Sequence, residues 1–253
     1  MTVFDELALA YDNTIDWKSR LEREMPFIIT SIVDTDRGRA LDIACGSGRH
    51  AIELAKKGFA VSAFDNSQSM IAAAKQHAHS QGLEIDFRVL SMQDMNKVYH
   101  GGFSLVLCLG NSLALLPSIA ALKQMIASIH EQMLSNGVLI FQTLNFEAVE
   151  EQGIRFMPSK TGVLSTGEKV TFSRFLDYTQ GDAEKAILVL SSLIESDDAK
   201  PVVESQEVLR ITGPLIEESL SDAGFTTYEV FSDYASSPFQ REFDRSIVVR
   251  AIK

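Results

Sequence analysis

The stretch ALDIACGSGRHAIELAKKGFAVSAFDNS, beginning at Ala40, limits the fold more than any other part of this chain. Apolar residues lead up to Asp42, the small residues Ala44, Cys45, Gly46, Ser47 and Gly48 follow, and an apolar pattern of helical spacing then begins. This order reads as strand, tight turn and helix. A second apolar run, FAVSAF, ends on Asp65, and Asn66 and Ser67 after it can cap another helix. The unit is therefore βαβ with a carboxylate at the end of its second strand. Glycine at 46 and 48 removes side chains where the backbone bends sharply and a ligand must come close. In an open parallel sheet, ligands bind beside such a turn, outside the carboxyl ends of the strands, so the site is located before its ligand is known.

The alternation continues along the chain. Strands are expected at about 39–44, 59–64, 84–90, 103–109 and 137–143, with helices at 48–57, 67–80 and 118–134. Strands alternating with helices of this length imply a parallel sheet covered on both faces. Upstream, Trp17, Leu21, Met25, Ile28, Ile29 and Ile32 recur at helical spacing, with Pro26 as the one awkward residue, so a helix precedes the first strand. After Asn145 the rhythm changes. KVTFSRFLDY, KAILVLSSLIES and PVVESQEVLRIT are strand-like and are joined by the turn-rich TQGDAE and DDAK, which predicts an antiparallel meander. A helix at about 214–223, a strand near 225–231 and the last strand RSIVVRAI follow. The expected fold class is α/β: a Rossmann-like, seven-stranded, mostly parallel sheet with helices on both faces and an antiparallel β insertion. Residues 1–145 and 213–253 form the sheet domain, with 1–35 as an N-terminal helical lid, and 146–212 form the insertion that contributes to the pocket.

Bulk properties exclude some functions. A chain of 253 residues can bury a full core. Its formal net charge of -11 opposes a long polyanion, so nucleic acid is not an expected partner. Arg37, Arg39, Arg49, Lys56 and Lys57 make only a short, interrupted basic patch. Two cysteines, Cys45 and Cys108, have neither zinc-site nor disulfide-framework spacing, and no metal is expected. The acidic N-terminal stretch lacks the basic start and long apolar core of a signal peptide, and the longest apolar zone is broken by Asn111, Ser112 and Pro117. A cytoplasmic setting without a membrane partner is expected, with homo-oligomerisation left open.

The residues around the turn narrow the ligand. Asp65 is placed to accept hydrogen bonds from a ribose diol, as in any adenosine-containing ligand. Asp42 adds a negative charge beside the turn, which repels a pyrophosphate and suits a cationic ligand. SMQDM at 91–95 puts Asp94 after the third strand, where it can accept from an exocyclic amine while Met92 or Met95 packs on a purine face. The fourth strand runs into LCLGNSLALL, which directs Gly110 and Asn111 toward the same crevice. Each residue also has a plainer structural role: Asp65 as a helix cap, Asp94 as a turn aspartate, Asn111 as a loop cap, Arg20 as a helix surface charge. Tyr11 and Trp17 read as packing residues, His50 as a polar helix-start residue, and Cys45 as a small buried turn residue.

Together LDIACGSG, AFDNS and MQDM resemble the class I S-adenosylmethionine-dependent methyltransferases. The resemblance implies S-adenosylmethionine as cofactor, released as S-adenosylhomocysteine. It implies a turn side lined by Asp42, Ala44, Gly46, Gly48 and Leu109, and a ribose and adenine side lined by Asp65, Asn66, Met70, Gln93, Asp94 and Met95. Within the family, CLGNSLALLP followed by LIFQTLNF is most similar to glycine N-methyltransferases and their bacterial relatives. That similarity implies that Asn111 faces the substrate, that Arg20 grips the methionine carboxylate, and that Tyr11 closes over the site, with Asn111 and Tyr11 positioning the substrate and no acid–base triad.

One departure concerns the acceptor. Leu144 stands where the glycine enzymes carry an arginine for the substrate carboxylate, directly before Asn145-Phe146. The acceptor-side candidates are then Asn145, Arg155, Arg174 and Tyr178. The expected activity is direct in-line transfer of a methyl group to a small-molecule N or O nucleophile. A nicotinamide-dependent oxidoreductase, a non-catalytic cofactor-binding protein and a nucleic-acid methyltransferase are the alternatives; GNSL replaces the Asn/Asp-Pro-Pro-aromatic segment of many members of the last class.

Overall fold

The computed structural model describes residues 3–32, 38–178, 181–195 and 200–253. The segments 1–2, 33–37, 179–180 and 196–199, which take in Arg37, the ends of the expected lid and parts of both insertion turns, lie outside the described residues. The chain begins with α1 (Val3–Asp12) and α2 (Trp17–Thr30), then runs β1 (Arg39–Ile43), α3 (Arg49–Lys56), β2 (Ala60–Asp65), α4 (Gln68–His79), β3 (Asp86–Val89), α5 (Met95–Val98) and β4 (Phe103–Cys108). It continues through α6 (Ile119–Gln132), β5 (Met133–Leu144), α7 (Phe146–Glu151), β6 (Phe156–Val163), β7 (Lys169–Asp177), β8 (Lys185–Ile194) and β9 (Val202–Leu209). It ends with α8 (Gly213–Ala223), β10 (Thr227–Phe231) and β11 (Ser246–Ile252).

Seven strands form one sheet in the order β10-β11-β5-β4-β1-β2-β3. The four central pairings from β5 to β3 are parallel, and β11 runs antiparallel to both β5 and β10. The strands read as near-continuous apolar runs because successive residues enter two different cores. Leu105 and Leu107 of β4, with Val138 and Ile140 of β5, pack with Phe27, Ile28, Ile52 and Leu54 of α2 and α3 on one face. Val106, Cys108, Leu139 and Phe141 pack with Leu122, Ile126 and Leu220 of α6 and α8 on the other. The α/β expectation with helices on both faces is what the chain adopts.

The insertion is a separate antiparallel sheet in the order β6-β7-β8-β9. It has one strand more than the three expected, and α7 was also not foreseen. Leu176, Ala186 and Val208 join its inner face to the main core beside Phe146 and Leu113. A third cluster, Leu7 and Ala10 with Leu164, Val170 and Phe172, seats α1 on the same sheet. A Cβ at Gly162 of β6 would collide with the Ala10 carbonyl, so glycine there lets the lid helix touch the strand. Helix α1 thus packs against both the insertion and α4 of the main domain.

Candidate active site

The turn after β1 is built from left-handed backbone: φ is 54° at Ala44, 53° at Gly46 and 76° at Gly48. The two glycines serve different ends. A Cβ at Gly48 would lie 2.8 Å from both Ala74 and the Phe87 ring, so this glycine seats the turn on α4 and β3. A Cβ at Gly46 would meet nothing within 4 Å, which leaves its face open to a ligand. Ala44 holds a conformation that costs a non-glycine residue about 1 kcal/mol, a strain of the kind that collects at functional turns. His77 pins the turn from α4, with Nδ1 3.1 Å from the Ser47 carbonyl and Nε2 3.2 Å from Arg49 Nη2.

Three carboxylates define the electrostatics. Asp65, at the end of β2, accepts from the Gly46 amide through Oδ2 at 2.9 Å and from the Ser67 amide through Oδ1 at 2.9 Å. Each oxygen keeps a further lone pair toward the crevice, which is what a vicinal diol needs. Asp42 is 3% exposed and its Oδ2 has no partner. Burial, against the opposing pull of His50 and the Ala51 amide, pushes its carboxyl up to about 6. A buried, unpartnered carboxylate oxygen beside an open turn is the feature that a cationic ligand would satisfy.

The third carboxylate, Glu24 of α2, escaped the sequence reading. It is 2% exposed, accepts from Arg20 Nε at 2.9 Å and from Arg23 Nη2 at 3.2 Å, and lies 2.8 Å from His50 Nε2. Burial acts to raise its carboxyl, but the His50 hydrogen bond and the Arg20 charge hold it below its ordinary value. The i,i+4 spacing of Arg20 and Glu24 was the available signal. Glu24 and the Trp17 ring, 4.9 Å from the guanidinium carbon, orient Arg20 so that its Nη2 would lie 3.6 Å from a Cβ at Gly110. Arg20 therefore reaches from α2 to the end of β4.

Gly110 and Asn111 follow β4. Asn111 is left-handed, and its Oδ1 accepts from Thr143 Oγ1 at 2.7 Å and from the Leu144 amide at 2.8 Å. Both partners are donors there, so the amide oxygen is committed to β5 and Nδ2 remains as the donor for a ligand. Tyr11 of α1, within the field of Arg20, stands edge-on to Phe172 at 5.3 Å. Arg174 and Lys160 lie 5.4 Å and 5.3 Å from its ring centroid. Burial pushes the Tyr11 phenol up, partly offset by the charges of Arg174 and Arg20.

Other expected site residues are placed differently. Asn145 is fully buried, and its amide donates to the Arg241 and Asp244 carbonyls at 2.7 and 2.8 Å and accepts from the Glu147 amide at 3.3 Å. It anchors the segment before β11 and caps α7, so it is not an acceptor-binding group. Met95 is 1% exposed inside the core, packed rather than facing a purine. Arg155 is held by Asp177 at 2.7 Å, beside the Tyr178 ring, so its charge is already compensated. Asp94, in the turn after β3, is bonded to Lys97 at 2.6 Å and Ser91 at 3.1 Å; the adjacent Gln93 is exposed, as is Asn66 after β2. Met70 lends its amide to the Ser67 cap, and Leu109 is buried at the end of β4. Burial raises the Cys45 thiol well above its ordinary value, which removes it as a nucleophile.

Comparison with known proteins bears on the family and the fold. Residues 40–137 match the family model of a methyltransferase domain. A glycine/sarcosine N-methyltransferase of Parasynechococcus marenigrum is 31% identical over 153 residues, 60% of this chain and 54% of that protein. The chain carries a class I S-adenosylmethionine-dependent methyltransferase domain. It spans about half the length of the first curated relatives it matches. A crystal structure of an S-adenosylmethionine-dependent methyltransferase from Clostridium acetobutylicum superposes with a TM-score of 0.76 at 20% identity, covering 99% of both chains. An S-adenosylmethionine-bound amino pentose methyltransferase from Micromonospora echinaspora gives 0.69 at 17% identity over 100% of this chain and 98% of its own. S-adenosylmethionine is the cofactor of this methyltransferase domain, and the free Asp42 oxygen, the open Gly46 face, the Asp65 lone pairs and the reach of Arg20 fit it.

Proposed function

We propose that the protein transfers a methyl group from S-adenosylmethionine to a nitrogen or oxygen of a small molecule. The observation that carries the reading is the buried Asp42 oxygen without a partner, beside an open glycine turn and within the field of Arg20. A dinucleotide pyrophosphate would meet that carboxylate with like charge, which disfavours a nicotinamide-dependent oxidoreductase.

In this reading Asp42 takes the ammonium of the methionine part, Arg20 takes its carboxylate, and Asp65 takes the ribose hydroxyls. When bound, the cofactor supplies a sulfonium methyl already activated for displacement. The chain then has to hold the acceptor atom in line with the carbon–sulfur bond and keep water away. Positioning of this kind lowers a barrier by roughly 7–11 kcal/mol. Asn111 Nδ2 and Tyr11 position the acceptor, and the lid helix and the insertion, residues 146–212, exclude solvent. An amine acceptor must present its lone pair, so the covered site has to favour the neutral form. Two free thiols accord with a reduced, cytoplasmic setting, and no helix among the described residues is long and apolar enough to cross a membrane.

The test is incubation with methyl-labelled S-adenosylmethionine and a panel of amines, carboxylic acids and phenols, reading S-adenosylhomocysteine release. Turnover on at least one small acceptor is expected. Cofactor binding without turnover on any of them would favour a non-catalytic binding protein.

A further inference from the structure

The inner face of β7 is occupied by Val170, Phe172, Arg174 and Leu176, three buried apolar side chains and one cation. Lys160 pairs with Phe172 from β6, so it projects to the same face. Both cations lie against the Tyr11 ring of the lid helix, at 5.3 and 5.4 Å from its centroid. Burial, with the charges of Arg174 and Arg20, pushes the Lys160 ammonium below its ordinary value.

The other partly buried cations of the insertion are compensated, Arg155 by Asp177, Lys185 by Glu207 and Arg210 by Glu150, as is Arg20 by Glu24, while Lys169 and Lys200 are exposed to solvent. Among the described residues neither Lys160 nor Arg174 has an ion-pair partner, although the chain has 34 acidic residues against 23 lysines and arginines. Two half-buried charges of one sign, turned inward under a lid and left without a carboxylate, repel each other unless an anion arrives from outside. Arg20 is the cofactor-side cation, tied to Glu24 and reaching toward Gly110. Lys160 and Arg174 belong to the insertion and are not needed for the cofactor.

We propose that the methyl acceptor carries an anionic group, a carboxylate or a phosphate, and that Lys160 and Arg174 bind this group against Tyr11. The inference rests on the methyl-transfer reading and adds the acceptor class. Arg174 offers a planar fork and Lys160 a point charge, a pairing suited to an oxyanion. Tyr11 sits on α1 and the two cations on β6 and β7, so anion binding also ties the lid to the insertion.

The test uses matched acceptor pairs, each an amine or phenol bearing a free carboxylate or phosphate beside its neutral amide or ester. Wild type, Lys160→Gln and Arg174→Gln are compared. Wild type is expected to favour the charged member in kcat/KM. Each substitution is expected to lower that value about 10- to 100-fold, mainly through KM, while the neutral member and S-adenosylhomocysteine affinity stay unchanged. The carboxylate and phosphate series identify which anion is recognised. If no pair turns over, the unfolding midpoint of protein saturated with S-adenosylhomocysteine decides, titrated with acetate or inorganic phosphate at constant ionic strength. A rise absent from both variants supports the proposal, and no rise with either anion overturns it. Preference for the neutral members, or equal losses on both members, also overturns it. Failure to bind S-adenosylhomocysteine at all would instead overturn the methyl-transfer reading.

Discussion

Burial, with Oδ2 unpartnered, raises the Asp42 carboxyl from 3.8 to about 6, so in the ligand-free protein its ionisation works against folding. Because the folded value is the higher one, the folded chain holds the proton more tightly between about pH 4 and pH 6. Stability therefore declines as pH rises through that window, and the cost, about 3 kcal/mol, is fully present above it. Asp42→Asn removes this cost but leaves an unpaired amide, so a gain of about 1–2 kcal/mol is expected at pH 7, read as a higher unfolding midpoint. The same variant is expected to bind S-adenosylhomocysteine at least about 10-fold more weakly. A variant that is both less stable and unimpaired in binding would refute this role. Glu24 has the opposite sign: its folded value is lowered, so its contribution is present at neutral pH and is lost as pH falls through that value. Glu24→Ala leaves Arg20 and His50 without their shared carboxylate, and a loss of about 3 kcal/mol by denaturant unfolding is expected, together with weaker cofactor binding. Asp42, Asp65 and Gly46 were legible in the sequence because they are tied to one local turn. Glu24 was not, because among Arg20, Glu22 and Arg23 it looks like one more solvated helix charge, and tertiary packing that brings His50 of α3 onto its carboxylate buries it.

At the scale of elements, the central strands were readable because a strand buried on both faces is apolar throughout. β6 was not readable. Its sequence, FMPSKTGV, contains Pro158 and Gly162, and such residues mark loops unless the strand lies at an edge, where Pro158 has no ladder bond to forfeit. Lys160 went unnoticed with the strand that carries it. α7 spans six residues from the Asn145 cap, too short for a helical period to show. β6 also sets the position of the lid, since Gly162 faces the Ala10 carbonyl. Gly162→Ala is expected to push α1 off the insertion while the seven-stranded sheet keeps its stability. Hydrogen exchange would show faster exchange confined to α1 and β6, and acceptor KM would rise at little change in cofactor affinity. Global destabilisation, or no change in α1, would contradict this account of the lid.

The whole molecule combines a net charge of -11 with a cationic crevice formed by Arg20, Lys160 and Arg174 around Tyr11. Lys160 and Arg174 converge on Tyr11 where α1 meets the insertion, without an ion-pair partner among the described residues. The fold supplies a parallel sheet with Asp42 on β1 and Asp65 at the end of β2, Arg20 reaching in from α2, and a second sheet against α1; in the proposed function the first three hold the cofactor and the second sheet covers the acceptor. Calorimetric titration of the ligand-free protein with S-adenosylhomocysteine, with NAD(H) as control and Asp65→Ala alongside, tests the central claim most directly. Micromolar binding of S-adenosylhomocysteine alone, weakened by the substitution, is the expected result. Binding of NAD(H), or of neither ligand, would contradict it.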